Sequence, residues 1–211
     1  MAELVLALDV TDPECALKVA SSCAPHIDAL KIGYPLVLAG GPGIIESFTD
    51  LDVPLIADFK VADIPNTNRL ITGQAFALGF DAIICQGFVG RDAVTACVVT
   101  AHEYGGDCYV VAEMSHPGAT EFFGEGVGER IATLSVECGA DGIIAPATRP
   151  GRVAALREIV GDRKIYAPGV GAQGGDPASI TALVDGIIVG RAIFESENPD
   201  QEAMKWRGLC Q

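Results

Sequence analysis

The chain has 211 residues, 49% hydrophobic and 20% charged, which suits one compact core and excludes a disordered protein. Its 14 Lys and Arg face 28 Asp and Glu, a net charge of -14 that opposes non-specific nucleic-acid binding. No run approaches the roughly 20 apolar residues of a membrane span, and Met1-Ala2-Glu3 enters an apolar strand without a basic leader. A cytoplasmic location is expected. Seven cysteines without a C-x-x-C pair read as reduced, mostly buried thiols.

Eight apolar stretches of strand length follow one another, at 4–8, 29–32, 55–59, 82–86, 108–112, 142–145, 165–167 and 186–189. Four are entered through a repeated Asp: Asp28-Ala-Leu, Asp81-Ala-Ile-Ile, Asp141-Gly-Ile-Ile and Asp185-Gly-Ile-Ile. Gly79 and Gly139 stand two residues before theirs, where a C′ glycine ends a helix. Helices fill the intervals. Thr11-Asp12-Pro13-Glu14 offers a capping box, Asp176-Pro177 and Asn198-Pro199 repeat the polar-cap-then-Pro signal, and 91–104 is amphipathic through Val94, Cys97, Val98 and Ala101. Eight β-α units with near-continuously apolar strands predict a closed (β/α)8 TIM barrel spanning 1–211 as a single domain.

Barrel enzymes build their sites at the C-terminal ends of the strands. Those ends carry Asp9, Lys31, Asp58 with Lys60, Gln86, Glu113 with Ser115, Pro146, Pro168, and Gly190 with Arg191. Within Asp58-Phe-Lys60-Val-Ala-Asp63-Ile64-Pro-Asn-Thr67, alternation puts Asp58 and Lys60 on one face. Charges on the inner face of an apolar strand need partners. Alone they read equally as a structural ion pair; polar groups at most of the other strand ends favour a site. Lys31, between Leu30 and Ile32, is expected to pair with Asp58 in an array Lys31–Asp58–Lys60–Asp63.

Two late segments suit a phosphate. Pro168-Gly169-Val170-Gly171-Ala172-Gln173-Gly174-Gly175 follows the seventh strand and can turn backbone N–H groups toward an anion, with Gln173 as a side-chain donor. Gly190-Arg191 follows the eighth and supplies a bidentate cation. Ser115, in Met-Ser-His-Pro-Gly, lacks an Asp-His relay and reads as a hydrogen-bonding group rather than a nucleophile. The loop 117–126 is a site wall or a loop with apolar anchors. His26, His102 and His116 are scattered, so no histidine metal site is expected.

Asp58-x-Lys60-x-x-Asp63-Ile64-Pro65-x-Thr67, Lys31-Ile-Gly-Tyr-Pro, Met-Ser115-His-Pro-Gly, Pro168-Gly-Val-Gly-Ala-Gln173-Gly-Gly and Val-Gly190-Arg191 together resemble the archaeal-type orotidine 5′-monophosphate decarboxylase family over nearly the whole chain. The D-x-K-x-x-D core also occurs in magnesium-dependent sugar-phosphate relatives, a reading that Glu113 beside Asp58 and Asp63 keeps open. The Ile-Pro-x-Thr extension and the Gly-Ala-Gln-Gly-Gly loop separate this chain from them. The resemblance implies cofactor-free, metal-free conversion of orotidine 5′-monophosphate to UMP by a homodimer with shared sites, with neither nucleic-acid nor membrane partner. It implies that Lys60 protonates C6, Asp58 lies against the departing carboxylate, and Lys31 and Asp9 contact the ribose. Asp63 and Thr67, flanking Ile64 in the substrate site, would reach the partner's site. Ser115 would meet the pyrimidine, and Gln173, Gly190 and Arg191 the phosphate, with backbone from Pro168 through Gly169, Val170, Gly171 and Gly174 to Gly175.

Overall fold

Eight parallel strands close on themselves in chain order, each paired with its sequence neighbours and the last with the first. They are β1 (Glu3–Ala7), β2 (Ala29–Gly33), β3 (Leu55–Val61), β4 (Ala82–Gln86), β5 (Asp107–Val111), β6 (Gly142–Ile144), β7 (Lys164–Pro168) and β8 (Gly186–Val189). The helices are α1 (Pro13–Cys23), α2 (Tyr34–Gly40), α3 (Pro65–Ala77), α4 (Arg91–Glu103), α5 (Val127–Glu137), α6 (Pro150–Val160), α7 (Pro177–Ile180), α8 (Arg191–Phe194) and α9 (Pro199–Leu209). The computed structural model describes residues 1–123, 126–171 and 173–210. Gly124 and Glu125 of the 117–126 loop, Ala172 of the Gly-rich loop, and Gln211 lie outside the described residues.

Strand alternation divides the apolar residues into two layers. Val5, Ile56, Ile84, Tyr109, Ile144 and Tyr166 belong to the barrel interior, while the opposite strand faces meet the helices. At the N-terminal end the Tyr109 and Tyr166 rings meet edge to face at 4.9 Å. Their hydroxyls donate to Asp107 (2.6 Å) and Glu3. These side chains fill that end of the barrel and leave the other for a site.

The repeated Asp has a physical cause beyond opening a strand. Asp28, Asp81, Asp141 and Asp185 precede β2, β4, β6 and β8, and each carboxylate accepts a backbone N–H from the preceding odd strand or its start. The donors are Leu4 (2.7 Å), Leu55 (2.8 Å), Cys108 (2.8 Å) and Ile165 (2.8 Å). Carboxylate-to-amide bonds are charge-assisted, so each ties two neighbouring strands at the barrel's bottom rim. Gly79 and Gly139 precede these residues with φ of 102° and 79°, as C′ glycines require.

The expected caps divide. Asp12 accepts from Cys15 N (2.7 Å) and Asp176 from Ala178 N (3.2 Å). The Thr11–Glu14 box does not form, because Asp12 itself is the cap and the N3 position falls on Cys15. Asn198 makes no side-chain cap bond. Asp81 has no salt bridge among the described residues, so its amide bond can be isolated experimentally. Asp81→Ala is expected to orphan the Leu55 N–H and cost about 1–3 kcal/mol. That corresponds to a fall of roughly 2–12 °C in Tm; an unchanged Tm in calorimetry would contradict the assignment.

Candidate active site

The barrel's C-terminal mouth opens into a cavity of about 1060 Å³. Ala7, Ile84, Val111, Ile144 and Ile188, from five strands, form its apolar floor, and charged side chains stand on the walls. The cavity therefore combines low polarity below with fixed charge above, where electrostatic interactions are strongest.

Asp58 organises the charged wall. One carboxylate oxygen is bonded to Lys31 Nζ and the other to Lys60 Nζ at 2.6 Å. Lys31 is only 5% exposed, so its ammonium depends on this partner. Burial pushes the Asp58 carboxyl up, but Lys31 and Lys60 outweigh it and hold the group below the ordinary carboxylate range. A bulge brings both β3 charges to the mouth. Ala57 pairs with Ile83 and Val61 with Cys85, so Asp58, Phe59 and Lys60 stand opposite Ile84 alone. Lys60 adopts φ 43°, a left-handed conformation unfavourable for a non-glycine residue. Phe59 points away from the cavity and stacks on Tyr34 at 5.1 Å.

Across the mouth, Asp9, Ser115, Pro168, Gly169, Val170 and Gln173 line the same cavity, as do Gly190 and Arg191. Ser115 Oγ donates to Gln173 Oε1 at 2.8 Å, joining the loops after β5 and β7. Gly171, Gly174 and Gly175 do not line it, contrary to the expectation of converging amides. Their N–H groups are used inside the loop, by Gly175 O (3.1 Å), Gly171 O (2.8 Å) and Gly169 O (3.0 Å) respectively. Gly169, Gly171 and Gly174 all have positive φ, which explains the glycines as the means of turning the loop.

Asp63, Ile64 and Thr67 lie apart from the cavity of their own chain. Asp63 accepts from the Ile64 N–H (2.7 Å), and the described residues give it no cationic partner, so the expected array stops at Lys60. Asp63 and Ile64 instead border a second cavity of about 490 Å³ with Pro65, Val89, Asp92 and Ala93, and Ile64 is 65% exposed. Gln86, at the end of β4, is not among the residues that line the large cavity. It is 6% exposed, with Nε2 3.7 Å from Met114 Sδ and Oε1 unpartnered among the described residues.

Thr148 and Arg149, after β6, are not among the sequence candidates yet line the cavity. Thr148 donates to Ser115 O (3.0 Å) and Arg149 to Met114 O (2.6 Å). A polar-cation-Pro run opening a helix at a strand end was the signal for them. Glu113 is held by Arg152, which leaves it bonded to a cation. Among the described residues no group of three or more His, Cys, Asp or Glu side chains is placed to hold a metal ion.

Comparison with known proteins adds a relationship to this geometry. The model of the orotidine 5′-phosphate decarboxylase / HUMPS family matches residues 2–206. A Methanosarcina barkeri protein named orotidine 5′-phosphate decarboxylase is 54% identical over 204 residues, covering 96% of this chain and 91% of its own length. The crystal structure of orotidine 5′-monophosphate decarboxylase from Methanocaldococcus jannaschii complexed with inhibitor BMP aligns with a TM-score of 0.96 at 41% identity, covering 100% of this chain and 99% of that one. A Pyrococcus horikoshii orotidine 5′-phosphate decarboxylase structure aligns at 0.89 and 42%, covering 98% of each chain. The chain belongs to the orotidine 5′-phosphate decarboxylase / HUMPS family.

Proposed function

We infer that this chain decarboxylates orotidine 5′-monophosphate to UMP, a step of pyrimidine biosynthesis. The observation that carries the reading is Asp58 bonded to both Lys31 and Lys60 beside a cavity whose opposite wall holds Gln173 and Arg191. The names of its relatives support the same substrate.

In this reading the C6–carboxylate bond breaks, CO2 departs, and the electron pair remains on C6. That pair lies in the ring plane, out of reach of the π-system, so it needs an external cation. The Lys60 ammonium supplies one where charge develops, stabilising the transition state more than the ground state. Its proton then passes from Nζ to C6 and yields UMP. Asp58 fixes the Lys60 chain end and stands against the departing carboxylate, while Lys31 neutralises Asp58 and contacts the ribose with Asp9. Ser115 meets the pyrimidine. Gln173, Gly190 and Arg191 hold the phosphate, a contact remote from C6 whose binding energy orders the site. The chemistry draws on side chains alone.

Asp63, Ile64 and Thr67 are assigned to the partner's site in a homodimer. Their position away from their own chain's large cavity and the exposure of Ile64 support this.

Lys60→Ala is expected to lower turnover of orotidine 5′-monophosphate by at least about 1,000-fold. UMP affinity, measured by calorimetry, should stay within roughly tenfold because the phosphate contacts remain; near-normal turnover would refute the role of Lys60. The shared site makes a second prediction. Mixing inactive Lys60→Ala and Asp63→Ala dimers under exchange conditions should restore about a quarter of wild-type activity, since half the dimers are hybrids with one intact site each. No recovery in proven hybrids would exclude sharing.

A further inference from the structure

Glu113 is the most deeply buried carboxylic acid among the described residues, at 1% exposure, and none of the roles above uses it. It sits two residues past β5, where the chain leaves the sheet; the Ala112 and Glu113 N–H groups both point to Ile144 O, at 3.1 and 3.4 Å. Its Oε1 accepts from Arg152 Nε at 2.8 Å and from Nη2, and Arg149 Nη2 lies 3.6 Å from Oε2. The same Arg152 guanidinium donates to both oxygens of Glu129, at 2.7 Å each. Glu129 in turn accepts the Gly126 N–H at 3.0 Å, closing the first turn of α5. Gly128 completes the packing. A Cβ there would stand 2.2 Å from Glu113 Oε1, so the helix approaches the carboxylate only because that residue is glycine.

One planar cation thus fastens two points of the chain, the departure from β5 and the start of α5. Between them lies Ser115, whose hydroxyl meets Gln173 across the cavity mouth. A buried carboxylate bound by a guanidinium fork has little freedom to change rotamer, because any other position leaves it unpaired in an apolar setting. Fixing Glu113 fixes the backbone two residues before Ser115. Arg152 is the member that makes this a clasp, since a lysine ammonium cannot present the same fork to both carboxylates. We propose that Glu113, Arg152 and Glu129 form a positioning clasp that holds Ser115 at the height from which it contacts the substrate. Its kinetic consequences rest on the decarboxylase reading; its structural consequence does not.

Two measurements on the full-length protein test it. In hydrogen exchange without substrate, Arg152→Met should speed exchange in residues 113–123 by about tenfold or more relative to strands β1 to β4. Unchanged exchange there, or an equal rise everywhere, overturns the clasp whatever the enzyme's activity. In kinetics, Arg152→Met should lower kcat/KM for orotidine 5′-monophosphate by about 10–100-fold. Ser115→Ala should then cost far less in the Arg152→Met background than in wild type, because the serine is already displaced. Additive losses would mark Arg152 as merely structural and overturn the proposal. Should Arg152→Met fail to fold, Arg152→Lys is read by the same two criteria. Absence of turnover by the wild-type protein would refute the decarboxylase reading instead, leaving the exchange result to judge the clasp.

Discussion

Two ammonium groups share one carboxylate, and the barrel mouth is arranged around that sharing. Asp58 pairs with the buried Lys31 and at the same time holds Lys60. Removing Asp58 would leave two ammonium groups without a counter-charge in a site with an apolar floor, so both lysine positions depend on that one carboxylate. The geometry is supplied by backbone. The β3 bulge and the left-handed conformation of Lys60 set strain into the residue to which proton transfer is assigned, a common location for such strain.

Around that fixed point the fold divides its tasks. The bottom of the barrel is filled by tyrosines and tied by four carboxylate-to-amide bonds between neighbouring strands. Stability is thereby concentrated at the end remote from the cavity, and the loops at the mouth are left to serve binding. Those loops are nevertheless cross-linked. Ser115 reaches Gln173, Thr148 reaches Ser115, and Arg152 joins Glu113 to Glu129. Side chains replace the sheet's hydrogen bonds where the strands end.

Most of the architecture was legible in the sequence because it depends on local periodicity. The eight apolar runs and the C′ glycines each reflect a short-range rule, and all eight strands form within two residues of the expected limits. The Asp58–Lys31 pairing was legible for another reason: a lysine between apolar residues on an inner strand must find an acid nearby. What the sequence does not show depends on three-dimensional placement. The glycines of the 168–175 segment signalled a turn and an anion site alike, and only hydrogen bonding shows that three of their amides serve the turn. Thr148 and Arg149 escaped because their loop carries no glycine cluster, and the Glu113–Arg152–Glu129 contact joins residues separated by up to 39 positions. Asp63 could not be placed from one strand's alternation because it lies beyond the end of that strand.

In the proposed reaction side chains alone, acting through Asp58, Lys60 and Lys31, carry out the decarboxylation. The most direct measurement follows the loss of orotidine 5′-monophosphate absorbance, with UMP and CO2 quantified together, using protein stripped of metal and assayed in excess EDTA. Full turnover with equal amounts of UMP and CO2 is expected. Activity that vanishes in EDTA and returns with a divalent cation would contradict it.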